Sequence, residues 1–415
     1  MTSDQRLIFV TDLAPACETG DVRAIKEVMD TYFHQLHTAR SLFCVTDEKY
    51  EMPCLPESRD FLDKGHLHSF LASRRLMTMK NLGEGEDFRY TFTISLDTQF
   101  PSFLRSRYQG ASIAGQDDAL TECLRFLAPY RSGVGMEPYL FENNERLDDP
   151  SVRETIGAYT QFRHSSKESL SEGRIEAALS GSALASDVDA TMEMLRGPDW
   201  QVIAANAKRN WAICYIILLI AAAVHLTSGR RSAAYRLSRL LEELDGIMVF
   251  PKTEIHLVHT FFERGNQAKF FRQIQANGRD FTRKLRNMAW DLSCSRTVFQ
   301  NVSGIARANP DHADFVAPYL LTFDGPLREL LAGFKANALI TYLQDGVKSI
   351  VIYPMAIETA LAEAFKSSQH LLTPERKSAR LQRGREFYEN ESRREECVEH
   401  AEGLLNAAIS ATAAP

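Results

Sequence analysis

The chain has 415 residues, 44% hydrophobic and 25% charged, which is long enough to bury a large core and to divide into two or three lobes. A formal net charge of −6 excludes a uniformly basic surface, so a nucleic-acid partner has to be held by local basic patches. The seven cysteines are scattered without a CxxC pair, which indicates neither a disulfide framework nor a zinc knuckle and points to the reducing cytoplasm. The start, Met1-Thr-Ser-Asp-Gln-Arg6, lacks the basic opening and long apolar core of a signal peptide.

Leu7 to Val10 reads as a short strand, and the apolar spacing of Val22, Ile25, Val28, Met29, Tyr32, Phe33 and Leu36 predicts a helix with one buried stripe. Residues 47–63 read as a loop, His66 to Met79 as a helix, and Gly83 to Asp87 as a break. Residues 1–87 thus form a mixed N-terminal extension. From Phe88 the period becomes two: Phe88, Tyr90, Phe92, Ile94 and Leu96 alternate with polar residues, which is a half-buried strand ending at Asp97. A helix follows from Phe103, so Asp97 stands at a strand-to-helix junction.

Residues from about 110 to 205 read as a helical insertion, with an acidic loop at Glu142 to Pro150 and a flexible Ser/Ala/Gly-rich link from Ser165 to Ser186. Trp211 to Val224 is uninterruptedly apolar or small, but as a helix it rises only about 21 Å, short of the roughly 30 Å of a bilayer core. It is therefore expected to be a buried helix, with no membrane partner. Ala234 to Leu244 is a further helix stopped by Gly246. Ile247 to Phe250 reads as a buried strand closed by Pro251, with Thr253 as N-cap and Glu254 in the first turn of the next helix.

A basic helix then carries Arg279, Arg283, Lys284 and Arg286 into Asp291, which has the small neighbours Ala289, Ser293 and Cys294. Tyr319-Leu-Leu-Thr-Phe-Asp324-Gly-Pro reads as a strand turning into a helix, which puts Asp324 at a second strand end. Ser349 to Tyr353 is another strand, and residues 356–415 are a charged helical tail. Asp12 is a rival to Asp97 as the first carboxylate, and His256 with His259 is a pair for which packing or surface roles are expected.

The segments Leu96-Asp97-Thr98-Gln99, Pro251-Lys252-Thr253-Glu254, Trp290-Asp291-Leu292-Ser293 and Thr322-Phe323-Asp324, in this order, resemble the PIN-domain nucleases. The resemblance departs at Gln99, where the family commonly has Asn, and in the long insertion. It implies an α/β fold: a three-layer α/β/α PIN-like core with a parallel sheet over residues 88–355, interrupted by the helical insertion and followed by the helical C-terminal tail. It further implies that Asp97, Glu254, Asp291 and Asp324 hold Mg²⁺ or Mn²⁺ and hydrolyse phosphodiester bonds, in RNA more readily than DNA. A toxin or defence role, an inhibitor partner and a homo-oligomer are left open.

The chemistry suits these residue types. Mg²⁺ is a hard cation that takes oxygen ligands and neutralises charge on phosphate oxygens. Arg283, Lys284, Arg286 and Arg296, and beside Asp97 also Arg105 and Arg107, are the candidate phosphate contacts. The basic run Arg376 to Arg385 either touches nucleic acid or balances the acidic residues that follow it. The alternative from another class is a non-catalytic, helix-rich interaction or scaffold protein in which the same acids cap helices.

Overall fold

The computed structural model describes residues 3–32, 40–44, 66–70, 76–80, 90–274, 280–308, 315–333, 335–343, 347–352, 365–366 and 368–413. The chain divides into two units, Met1–Val202 with Val298–Met355, and Ile203–Thr297 with Ala356–Pro415. It is a mostly helical α/β protein with two small sheets, one antiparallel and one mixed, the strands of the mixed sheet being mostly parallel.

In the first unit, α1 (Ser3–Thr19) and α2 (Val22–Thr31) pack on β1 (Arg40–Cys44). The Asp21 carboxylate caps α2 by accepting from the Arg23 and Ala24 N–H groups. Leu7 to Val10 therefore lies in a helix, not a strand. Phe9 and Leu13 are four residues apart and join Ile25, Met29 and Phe43 in one apolar cluster, a helical stripe that a four-residue apolar run cannot be told from. The expected helix from His66 to Met79 is also corrected: β2 (Leu67–Ser69) and β3 (Leu76–Lys80) occupy it. Here pairing with distant strands decides the conformation, since β3 pairs with β1 and β2 with a strand near residue 320. Residues 47–63, Gly83 to Asp87, Phe88 and Arg279 lie outside the described residues.

β4 (Tyr90–Leu96) forms as expected and leads into α3 (Phe100–Tyr108). The insertion is helical: α4 (Asp117–Leu127), a two-residue β5 (Val134–Gly135), α5 (Glu137–Glu142), α6 (Pro150–His164), α7 (Lys167–Ser171) and α8 (Gly181–Arg196). The expected link from Ser165 to Ser186 is not one flexible stretch. Ser166 and Ser180 accept from Ser169 and Ala183 N–H, so serines read as linker residues are the N-caps of α7 and α8.

α9 (Pro198–Thr227) is 30 residues, and 78% of its most apolar window is buried. Its length and composition would let it cross a membrane, so the length argument does not separate a core helix from a spanning one; Ala212 to Val224 is continuously buried in the structure. α10 (Ala233–Asp245) and α11 (Lys252–Arg264) flank Ile247 to Phe250, which is not a strand. Ile247 and Met248 are apolar because they are buried in the turn between two helices. Pro251, rather than Thr253, precedes the first turn of α11 and supplies no side-chain cap.

α12 (Phe281–Ala308) leads to β6 (Phe315–Leu321), and α13 (Gly325–Ala332) follows. β7 (Ala338–Leu343) and β8 (Val347–Ile352) complete an antiparallel sheet in the order β3-β1-β7-β8. The second sheet runs β2-β6-β4-β5, with β6, β4 and β5 mutually parallel and β2 antiparallel. In the second unit, α14 (Pro374–Glu389) is tied to α10 by Arg376, Arg380 and Arg383, all reaching Asp245, and α15 (Glu391–Ala413) ends the chain. Three of the five basic residues of the run thus serve one buried carboxylate.

Candidate active site

β4 and β6 are neighbours in register, Leu96 opposite Leu321, so both strands end side by side. The Asp97 N–H donates to the Leu321 carbonyl at 3.0 Å and extends the ladder by one residue. This brings Asp97 and Asp324 to the carboxyl ends of adjacent parallel strands, the edge where open α/β sheets bind ligands.

Asp97 is 6% exposed. Its Oδ1 accepts from Gln99 N–H at 3.1 Å and Phe100 N–H at 2.8 Å, and its Oδ2 from Phe323 N–H at 3.3 Å. Burial pushes this carboxyl above the usual range, against the pull of those hydrogen bonds and of one from the Thr322 hydroxyl. Thr322 also accepts from Asp324 N–H at 3.0 Å, so one buried hydroxyl links the two aspartates. Asp324 is half-buried and caps α13, its Oδ1 accepting from Leu327 N–H at 2.8 Å. Phe323 fixes the junction by stacking on Phe100, ring centroids 5.5 Å apart, and meeting Phe103 edge-on at 5.3 Å.

A third carboxylate, outside the sequence-derived set, belongs to this edge. β5 runs parallel to β4, and α5 follows it, ending at Glu142. The helix end is anchored by Phe141 stacked on Trp200 at 5.1 Å and by Trp200 Nε1 donating to Asn144 at 2.9 Å. Burial pushes the Glu142 carboxyl up; a Thr98 hydrogen bond and the charge of Arg146 lower it, and Asp97 raises it further. The available signal is the short apolar run Val134-Gly-Met-Glu-Pro-Tyr-Leu-Phe141 before Glu142, although Glu142 closes a helix whereas Asp97 and Asp324 precede one.

Glu254 and Asp291 belong to the second unit. Glu254 is 3% exposed and pairs with Arg296 through Nη1 at 2.6 Å. Burial works against the Arg296 charge, yet Glu254 holds the guanidinium well above its ordinary range. Arg296 Nε also donates to Asn210 at 3.0 Å. Asp291 is half-buried on α12, where its carbonyl accepts from the Ser295 hydroxyl.

The basic candidates are largely engaged within the chain. Arg283 pairs with Asp280 at 3.1 Å, and Arg286 donates to the Tyr215 hydroxyl at 3.2 Å and to Glu402 at 3.1 Å. Lys284 is half-buried on the same helix. Arg105 donates to the Ser151 carbonyl and Arg107 to Asp117 and Thr121. His256 and His259 are buried, and burial, with neighbouring His259 and Lys252, pushes His256 down to about 4. Asp12 accepts from the Tyr32 hydroxyl at 2.5 Å on an N-terminal helix.

Among the described residues, no three His, Cys, Asp or Glu side chains stand together as a ready metal cage. The donors at the β5-β4-β6 edge are nonetheless chemically those of a hard-cation site: carboxylates and hydroxyls, with two of the carboxyls already displaced upward. No protein-family model, curated protein or solved structure matches the chain.

Proposed function

We propose that the first unit is a PIN-like α/β/α nuclease core that hydrolyses phosphodiester bonds, most readily in RNA, at the carboxyl edge of β5, β4 and β6. The observation that carries this reading is that Asp97 and Asp324 follow the adjacent parallel strands β4 and β6, while Glu142, at the C-terminal end of the helix after β5, hydrogen-bonds Thr98 beside Asp97. These three residues would hold Mg²⁺ or Mn²⁺. When bound, the ion supplies charge neutralisation at phosphate and an activated water.

The chain's own contribution is placement. Backbone N–H groups of Gln99, Phe100 and Phe323 orient Asp97, and Thr322 ties it to Asp324. Asp97 raises the cost of ionising Glu142, a cost that a cation offsets. Glu254 and Asp291 complete the set that the resemblance implies; Glu254 is already neutralised by Arg296, so the reading rests on the acids of the first unit.

A second reading is favoured by a specific observation: three backbone N–H groups and a hydroxyl already occupy the Asp97 carboxylate, as expected of a helix-capping residue in a non-catalytic interaction protein. Incubating the purified chain with short RNA and DNA oligonucleotides separates the two. Cleavage that requires Mn²⁺, stops with EDTA and is lost in Glu142→Gln and Asp324→Asn supports the nuclease. Intact oligonucleotides under every metal condition support the interaction protein.

A further inference from the structure

Arg328 lies one helical turn beyond Asp324 on α13, and its N–H bonds to the Asp324 carbonyl at 3.0 Å. Its side chain folds back along the helix, so that a Cβ built on Gly325 would lie 3.5 Å from Arg328 Nη2. The Nε is buried without a hydrogen-bond partner. A guanidinium carries a fork of five N–H donors and is always charged, so a half-buried one with no ion pair among the described residues is suited to an anion.

The charges around it say which anion. Asp324 and Cys123 are within electrostatic reach of Arg328, and Cys123 in turn senses Asp97. Arg328 therefore belongs to the same edge as the three acids. Other arginines of the first unit are engaged elsewhere: Arg105 on the Ser151 carbonyl, Arg107 on Asp117, and Arg146, which senses Glu142, on Asp149. An edge with three acids and one uncommitted guanidinium is suited to a ligand that presents anionic oxygens to the arginine while a cation screens it from the carboxylates.

We propose that Arg328 is the phosphate-binding residue of this edge, taking a non-bridging oxygen of a nucleic-acid phosphodiester. The inference rests on the nuclease reading for the identity of the site, but its contact is with the anion and not the metal.

The test is the affinity of the full chain for a short fluorescein-labelled single-stranded RNA, followed by anisotropy in EDTA and in Ca²⁺. Wild type is compared with Arg328→Gln, Arg328→Lys and Arg23→Gln, with Mn²⁺ affinity measured in parallel by calorimetry. Arg23 is an exposed residue paired with Glu27 and controls for loss of one positive charge. The expected result is a loss of about tenfold or more for Arg328→Gln, a smaller loss for Arg328→Lys, a shallower salt dependence by about one phosphate contact, and no change for Arg23→Gln. Mn²⁺ affinity is expected to be undiminished in Arg328→Gln. RNA binding by Arg328→Gln equal to wild type overturns the inference, even where Mn²⁺ still binds and the nuclease reading stands. Loss of RNA affinity in Arg328→Gln with no Mn²⁺ binding by wild type keeps the anion site and removes the nuclease reading instead.

Discussion

Asp97 and Glu254 are comparably buried, 6% and 3% exposed, yet the two units solve the problem of a buried acid differently. In the second unit Glu254 faces a guanidinium, and Asn210 holds that guanidinium in turn. In the first unit Asp97 has only neutral donors, and the nearby Glu142 adds negative charge. Burial without a countercharge leaves an acid displaced upward and receptive to a cation, whereas burial beside an arginine leaves a charge-balanced pair, although Glu254 bonds Arg296 through Oε1 alone and its Oε2 is buried without a hydrogen-bond partner.

The largest effect is expected on the arginine-paired side. Arg296→Met strands the Glu254 charge in the interior and should destabilise the second unit by about 3–5 kcal/mol, read by urea unfolding. Adding Glu254→Leu should recover most of that loss. If the single substitution costs under about 1 kcal/mol, the contrast between the units fails.

The next effect concerns pH. A carboxyl raised in the folded state keeps its proton there after the unfolded chain has lost it, so stability falls as pH rises from the unfolded value through the folded one. Asp97 and Glu142 should each contribute this slope, at most about 1.4 kcal/mol per pH unit and proton. Buried His256 does the reverse: it is pushed down to about 4, so the unfolded chain binds the extra proton and stability rises between about 4 and 6.5. Asp97→Asn keeps an acceptor for Phe100 N–H and should remove the Asp97 share of the falling slope, leaving the Glu142 share and the rising slope. Superimposable profiles for the two proteins would contradict this.

The smallest expected change is at the cap. Asp324→Ala removes the acceptor for Leu327 N–H and should cost about 1 kcal/mol, whereas Asp324→Asn should cost less. Equal losses would show that the charge of Asp324, and not its capping oxygen, stabilises the fold.

The parts of this account legible in the sequence are those written in local signals. The alternation from Tyr90 to Leu96 and the Asp-Gly-Pro after Phe323 fixed two strand ends and the start of α13, and the structure adds that these strands are parallel neighbours. What the sequence concealed depends on distant partners. Leu76 to Lys80 is a strand because β1 lies beside it, and Ile247 to Phe250 is apolar because a turn is buried. Glu142 reads as the start of an acidic loop because β5 is only two residues long and pairs through Ile94 and Ser95 far back in the chain. Likewise nothing local distinguishes Glu254 from a metal ligand; its partner Arg296 comes from a different helix.

Calorimetric titration of Mn²⁺ into the wild-type chain, Asp97→Asn, Glu142→Gln and Glu254→Gln, each shown to be folded by circular dichroism, tests the central claim most directly. The account predicts saturable binding by wild type and Glu254→Gln, weakened by about tenfold or more in Asp97→Asn and Glu142→Gln. No saturable site in the wild type, or undiminished binding by Glu142→Gln, would contradict it and leave these acids as caps and packing residues of an interaction protein.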